Sequence, residues 1–217
     1  ARDSKEANTI VAELVRSRKA KLAVKSKSMV SEELNLNHTL ADMGVEAVET
    51  DLGEYIIQLA EETPFHIIAP ALHKTKEDIS ALFSKHLGVP QINEKEALAA
   101  AARDVLREKF LQADMGITGA NFLVAETGTL VIVTNEGNGR LCTSAPRIHL
   151  ALTGMEKLLP SLEDLAIFLR LLPRAATGQR LTSYVSFISG PRISSDEDGP
   201  EEFHLVIVCL LYTSPST

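Results

Sequence analysis

Residues 21–50 read Lys21-Leu-Ala-Val-Lys-Ser-Lys-Ser-Met-Val-Ser-Glu-Glu-Leu-Asn-Leu-Asn-His-Thr-Leu-Ala-Asp-Met-Gly-Val-Glu-Ala-Val-Glu-Thr50. A short apolar run, Lys21 to Val24, gives way to polar Lys25-Ser-Lys-Ser28. Helical spacing follows from about Ser31 to Met43 and stops at Gly44, and Val45 to Thr50 is a second short run. Strand, helix and strand in that order is the alternation of an open α/β sheet.

The same alternation extends on both sides. Upstream, Ala7, Ile10, Val11, Leu14 and Val15 keep helical spacing, with Asp3 and Glu6 placed as a capping box. Downstream, Gly53 to Glu62 reads as helix and His66 to Ala69 as a short buried strand. Thr75-Lys-Glu-Asp78 opens a helix closed by Gly88 and Pro90. Asn93-Glu-Lys-Glu96 opens a long Ala-rich helix running to Met115 and stopping at Gly116. The texture then changes: Ile117 to Ala125, Thr129 to Thr134 and Arg147 to Thr153 read as consecutive strands joined by tight turns. Ser161-Leu-Glu-Asp164 caps a helix through Leu172, and Tyr184 to Ser189 and Leu205 to Val208 close as strands. The expectation is one α/β domain of three layers with a mixed sheet, without internal repeat or dividing linker.

Composition narrows the function classes. The 217 residues are 45% hydrophobic and 24% charged, in the ordinary globular range. With 22 Lys and Arg against 29 Asp and Glu, the net charge is −7, so binding to nucleic acid through clustered cations is not expected. No Trp and 5% aromatics argue against a base-stacking platform. Cys142 and Cys209 are the two cysteines, too few for a disulfide framework or a four-thiolate metal site. No apolar run approaches the roughly 20 residues of a transmembrane helix. The first residues lack the apolar stretch of a signal peptide and an initiator Met, which reads as a cytoplasmic chain and an internal fragment.

Polar chemistry gathers in two places. Glu126-Thr-Gly-Thr129 and Asn135-Glu-Gly-Asn-Gly-Arg140 offer backbone N–H groups and hydroxyls suited to an anion or a carbonyl oxygen. Glu126 stands beside them as a nucleophile or base, and Arg140 as a fork for carboxylate or phosphate. Gly, Asn and Thr are equally the residues of two ordinary hairpin turns. Lys25-Ser-Lys-Ser28 follows the first strand, where an open α/β sheet presents its ligand crevice; Lys27 and Ser28 are the candidate contacts, with Glu32 one turn on. The plain alternative is a basic surface loop capped by Ser28 or Ser31. His73 falls just past a strand end and faces either that crevice or a backbone carbonyl. Cys142 is a reactive thiol or a small core residue. Walker, Gly-x-Gly-x-x-Gly, Gly-x-Ser-x-Gly and His-Glu-x-x-His motifs are missing.

Longer strings carry a family resemblance. Lys25 to Glu33, Glu49 to Ile57, Pro70 to Thr75, Gly119 to Thr129, Thr134 to Arg140 and Gly190-Pro191 resemble, in order, the LUD-domain family of bacterial lactate-utilisation proteins, in particular its B-type iron–sulfur members. The resemblance covers residues 1–208. Family proteins continue with Asp-Asn-Gly-Arg where this chain has Cys209-Leu-Leu-Tyr-Thr-Ser-Pro-Ser-Thr217, so 209–217 reads as a non-matching tail of artefactual origin.

The resemblance implies a fold like that of the sugar-phosphate isomerase and CoA-transferase group. It implies a domain of an iron–sulfur subunit in a complex oxidising L-lactate to pyruvate, with the other subunits as partners. The 4Fe-4S clusters then belong to a C-terminal ferredoxin-like module outside this chain, leaving no cofactor or metal ligand within it. By analogy with CoA-transferases, Glu126 is the catalytic candidate. Thr127, Gly128, Thr129, Asn135, Asn138 and Arg140 would form with it a polar pocket for a small carboxylate, with Lys27 and Ser28 on the rim and His73 facing in. A stand-alone acyl- or CoA-transferase, a sugar-phosphate isomerase and a non-catalytic carboxylate-binding domain remain as alternatives.

Overall fold

The computed structural model describes residues 1–65 and 69–209, so the strand expected at His66 to Ala69 lies largely outside the described residues. Helix α1 (Ser4–Arg18) starts where Asp3 accepts the Glu6 amide and ends at Lys19 in the left-handed region. It leads into β1 (Leu22–Lys25), α2 (Met29–Glu33), α3 (Leu36–Asp42) and β2 (Glu46–Glu49). The single helix expected from Ser31 to Met43 is therefore two, because Asn35 takes φ 51 and breaks the ladder between them. Then come α4 (Leu52–Ala60), α5 (Lys76–Leu87, with the Thr75 capping box formed), α6 (Lys95–Gln112) and β3 (Met115–Thr118).

Two boundaries of the long Ala-rich helix are corrected. No side chain caps its start at Glu94, and it stops three residues before Met115. The stop is tertiary: the Asp114 carboxylate accepts the amides of Lys21 and Leu22 at 2.7 and 3.1 Å, which draws the chain into the sheet. Beyond β3 lie β4 (Phe122–Val124), β5 (Thr129–Thr134), α7 (Asn138–Ser144), β6 (Ile148–Gly154), β7 (Leu158–Leu159), α8 (Leu162–Thr177), β8 (Tyr184–Ile188) and β9 (Glu202–Val208). Ile117 to Ala125 is thus two strands rather than one. A helix, α7, stands where the second hairpin turn was expected. Helix α8 continues past Pro173 and ends at Gly178, whose φ of 73 suits glycine and whose amide bonds to the Arg174 carbonyl.

Five parallel strands form one sheet in the order β2-β1-β3-β6-β9. The α/β class expected from the alternation holds, with helices on both faces. Ala23, Met115, Ile117, Ile148, Leu150 and Leu152 point to one face and pack on Ala7, Val11 and Val15 of α1 and Leu36 and Leu40 of α3. Their neighbours Val24 and Val48 point to the other, against Tyr55 of α4, Leu106 and Phe110 of α6 and Cys142 of α7. Period-two alternation on a sheet covered twice gives this near-continuous apolar reading.

The antiparallel pairing sits in a second sheet, β7-β4-β5-β8, rather than in the first. Leu123, Leu130 and Ile132 press on Ala151, Phe203 and Ile207 of the parallel sheet. Phe122, Val124, Val131 and Leu159 face α8 through Leu165, Leu169 and Leu172. No helix among the described residues is long and apolar enough to cross a membrane.

Candidate functional site

Strand β1 lies between β2 and β3: the chain passes from β1 out to β2 by way of α3 on one face and returns from β2 to β3 by way of α4 and α6 on the other. That divergence opens a crevice beyond the carboxyl ends of β1 and β3, the place where open α/β sheets hold ligands. A cleft of about 630 Å³ occupies it. Residues 26–30 after β1 and 119–121 after β3 form one wall, the end of β5 and the start of α7 a second, and α8 together with Phe122 of β4 and Leu159 of β7 a third.

The first wall is built by the loop that the sequence singled out. The Ser26 amide extends the ladder by bonding to the Ile117 carbonyl at 2.9 Å, and Ser28 Oγ accepts the Ser31 amide at 3.3 Å, which fixes the residues on either side of Lys27. Gly119 makes room for this: a Cβ there would stand 2.8 Å from Ser28 Oγ and 3.2 Å from its Cβ. The Lys27 ammonium lies 3.2 Å from Glu54 Oε1. The pair is close but out of line, so the buried Nζ makes no hydrogen bond with any described residue. Burial raises the Glu54 carboxyl above its ordinary range, and Lys27 opposes that rise.

The second wall carries Thr134, Asn135, Glu136, Asn138 and Gly139. Asn135 works as a clamp, accepting from the Ser183 amide at 3.1 Å and donating to Gln179 Oε1 at 2.8 Å. Partial desolvation and then Asp51 raise the Glu136 carboxyl, with Lys27 pulling the other way. The third wall is apolar: Phe122 and Phe168 meet at 5.5 Å between ring centres, beside Leu159 and Leu172. Phe168 remains 42% exposed, and the cleft lies against it. Glu156 and Lys157 complete the rim.

The sequence-derived candidates divide. Lys27, Ser28, Asn135 and Asn138 line the cleft. Glu126, Thr127, Gly128 and Thr129 do not, which corrects the expectation of one pocket shared by both strings. Thr129 and Thr134 are opposite ends of β5, roughly 16 Å apart at about 3.3 Å per residue. At the far end, Glu126 Oε2 accepts the Leu162 amide at 3.2 Å and so satisfies an orphan donor at the start of α8. Thr127 donates to Thr129 Oγ1 at 2.8 Å, Thr129 meets Ser189 at 3.0 Å, and Gly128 supplies the φ of 65 in the turn.

Arg140 is exposed on α7 and outside the cleft lining. His73 pairs with Glu62 at 2.8 Å and packs on Phe65, also away from the cleft. Glu32 lines a second cavity of about 430 Å³, with Lys25, Asn37, Glu49, Glu54 and Gln58. Glu136, Asp51, Phe122 and Phe168 were missed. Glu136 sits inside the quoted polar string, whereas Phe168 had no local signal.

The donor set does not fit an iron–sulfur cluster. The sequence has two cysteines, and Cys142 is buried with its thiol pushed up to about 12, chiefly by desolvation. Among the described residues no three His, Cys, Asp or Glu side chains form a metal-holding group.

The LUD-domain family profile matches residues 1–208. Proteins called lactate utilization protein B match over 209 residues: 52% identical in Shouchella clausii, 49% in Bacillus velezensis and 48% in Bacillus subtilis. Each match covers 96% of this chain and 44% of the relative, so the chain spans about half the length of the curated relatives it matches. A crystal structure of a DUF162 family protein from Deinococcus radiodurans aligns with 96% of this chain and 99% of that one, at 15% identity and a TM-score of 0.39.

Proposed function

The chain belongs to the LUD-domain family, and on that premise we propose that it serves lactate utilisation as a 2-hydroxy-acid-holding domain of an iron–sulfur subunit in an L-lactate-oxidising complex. The observation that carries the reading is Lys27: a buried ammonium, ion-paired with Glu54 but without a hydrogen bond to any described residue, set in a cleft at the sheet's switch point. An ammonium in that state stabilises a carboxylate more than water-exposed lysines do, because the attraction acts in a lower dielectric. Asn138 and Glu136 offer the hydroxyl of a 2-hydroxy acid hydrogen-bond partners on the facing wall. The electrons released when lactate becomes pyruvate leave through centres outside residues 1–217; the 4Fe-4S clusters and the partner subunits belong to the rest of the assembly.

Purified full-length protein, assembled with its partner subunits, tests the reading by dye-coupled oxidation of L-lactate. Lys27→Gln is expected to raise KM at least 10-fold, with Lys27→Arg recovering part of the loss. An unchanged KM in a Lys27→Gln protein that melts as a folded chain refutes the assignment. The transferase alternative has less to support it, since Glu126 lies outside the cleft, where its Oε2 accepts the Leu162 amide.

A further inference from the structure

The cleft is larger than lactate fills, and one of its walls is apolar. A three-carbon hydroxy acid takes the room of about three or four waters, roughly 100 Å³ at about 30 Å³ each. The cleft offers about 630 Å³, within the range of sites that enclose ligands several times larger. Its polarity is also uneven. Lys27, Glu136 and Asn138 are set on the two walls around the strand ends, while Phe122, Phe168, Leu159 and Leu172 form the third. Phe168 is the informative residue: a large aromatic side chain 42% exposed beside Phe122, against a cavity. Such a face gains about 25 cal/mol for each Å² it removes from water. Lactate held by its carboxylate at Lys27 has only a methyl group to offer that wall.

We propose that this cleft selects a 2-hydroxy acid with an aryl or similarly large flat apolar body, its carboxylate at Lys27 and its body against Phe168 and Phe122. The inference rests on the reading of Lys27 as the carboxylate partner and extends it from head group to side chain. Ring–ring contact at offset or edge geometry adds to area burial at such a wall. No covalent step is involved; the claim concerns binding preference.

Calorimetric titration of the full-length protein with L-lactate and 3-phenyllactate tests it, since the two probes share a head and differ by one ring. Phenyllactate is expected to bind roughly 10- to 60-fold tighter, the yield of burying most of one phenyl ring. Phe168→Ala, a change at a half-exposed position, is expected to remove most of that preference and leave lactate affinity within about twofold. Equal affinity for the two acids, or a preference that survives Phe168→Ala, overturns the size inference and leaves the Lys27 reading standing. Binding of neither acid overturns both.

Discussion

The second cavity has a charged pair in its wall whose removal should be costly in a way that can be measured. Lys25 at the end of β1 is 2% exposed, and its Nζ donates to Glu49 Oε1 at 2.6 Å across the β1–β2 register. Asn37 of α3 donates to the same oxygen at 2.8 Å. Lys25→Met keeps the apolar stem and deletes the ammonium, so a carboxylate with 11% of its side chain exposed loses its cation. Breaking a buried pair from one side costs about 3–5 kcal/mol. For a chain of this length that lowers the melting temperature by roughly 6–20 °C, at about 2–4 °C per kcal/mol. Removing both charges is a different perturbation. Lys25→Met combined with Glu49→Leu leaves no orphaned charge, and the exposed Asn37 turns to water, so the double variant should recover to within about 1 kcal/mol of the parent. Urea titration of the four proteins gives the coupling directly through the double-mutant cycle. A single-variant cost below about 1 kcal/mol, with no recovery in the double variant, would mean that cavity water screens the pair as it screens a surface bridge, and the argument from burial fails.

Two further outcomes follow from the packing around β3 and β6. At Gly116 a Cβ would stand 2.8 Å from the Cys142 carbonyl carbon and still closer to its oxygen, so Gly116→Ala must push α7 off the sheet. A loss of roughly 3 kcal/mol is expected, whereas Gly190→Ala, with open space around it, should melt within about 1 °C of the parent; equal melting of the two refutes the close approach. His149 is buried with Nε2 2.8 Å from Thr118 Oγ1 and Phe203 stacked on its ring, and desolvation lowers its pKa from 6.5 to about 4. The folded state therefore binds this proton later than the unfolded one. The stability is intact above pH 6.5 and declines as pH falls toward 4, by up to about 3 kcal/mol. His149→Gln should flatten that acid limb in urea midpoints taken between pH 7 and 4, and an unchanged slope counts against the assignment.

What could be read from the sequence was local. Asp3, Thr75 and Ser161 announce helix starts because a cap needs only its own first turn, and all three side chains make the expected bonds. The misread boundaries have distant causes. Asp114 ends the long helix by bonding to amides 92 and 93 positions away, and nothing near Asp114 in sequence says so. Leu34-Asn-Leu36 keeps helical spacing through the break at Asn35. Asn138-Gly-Arg140 reads as turn chemistry, yet it begins α7, which Gly116 lets sit directly on β3. The helix expected to end at Leu172 continues through Pro173, and Gly178 is where the chain adopts the left-handed conformation that ends α8.

The same division explains the site. Lys27 and Ser28 were legible because position after a first strand is itself a prediction of the crevice. Phe168 was not, since its role depends on a second sheet carrying α8 across the strand ends. The cleft is therefore made by two structural facts at different ranges: a local loop that presents one ammonium, and a distant layer that supplies the wall opposite. Lys27 is already shared with Glu54, whose carboxyl burial holds above its ordinary range. An incoming carboxylate thus meets an ammonium that already faces Glu54, with Glu136 on the opposite wall of the cleft and Asp51 accepting the Glu54 amide as the cap of α4. Head-group attraction at Lys27 is common to every 2-hydroxy acid and cancels when two of them are compared, so the apolar wall, and with it side-chain size, decides which of them this cleft retains.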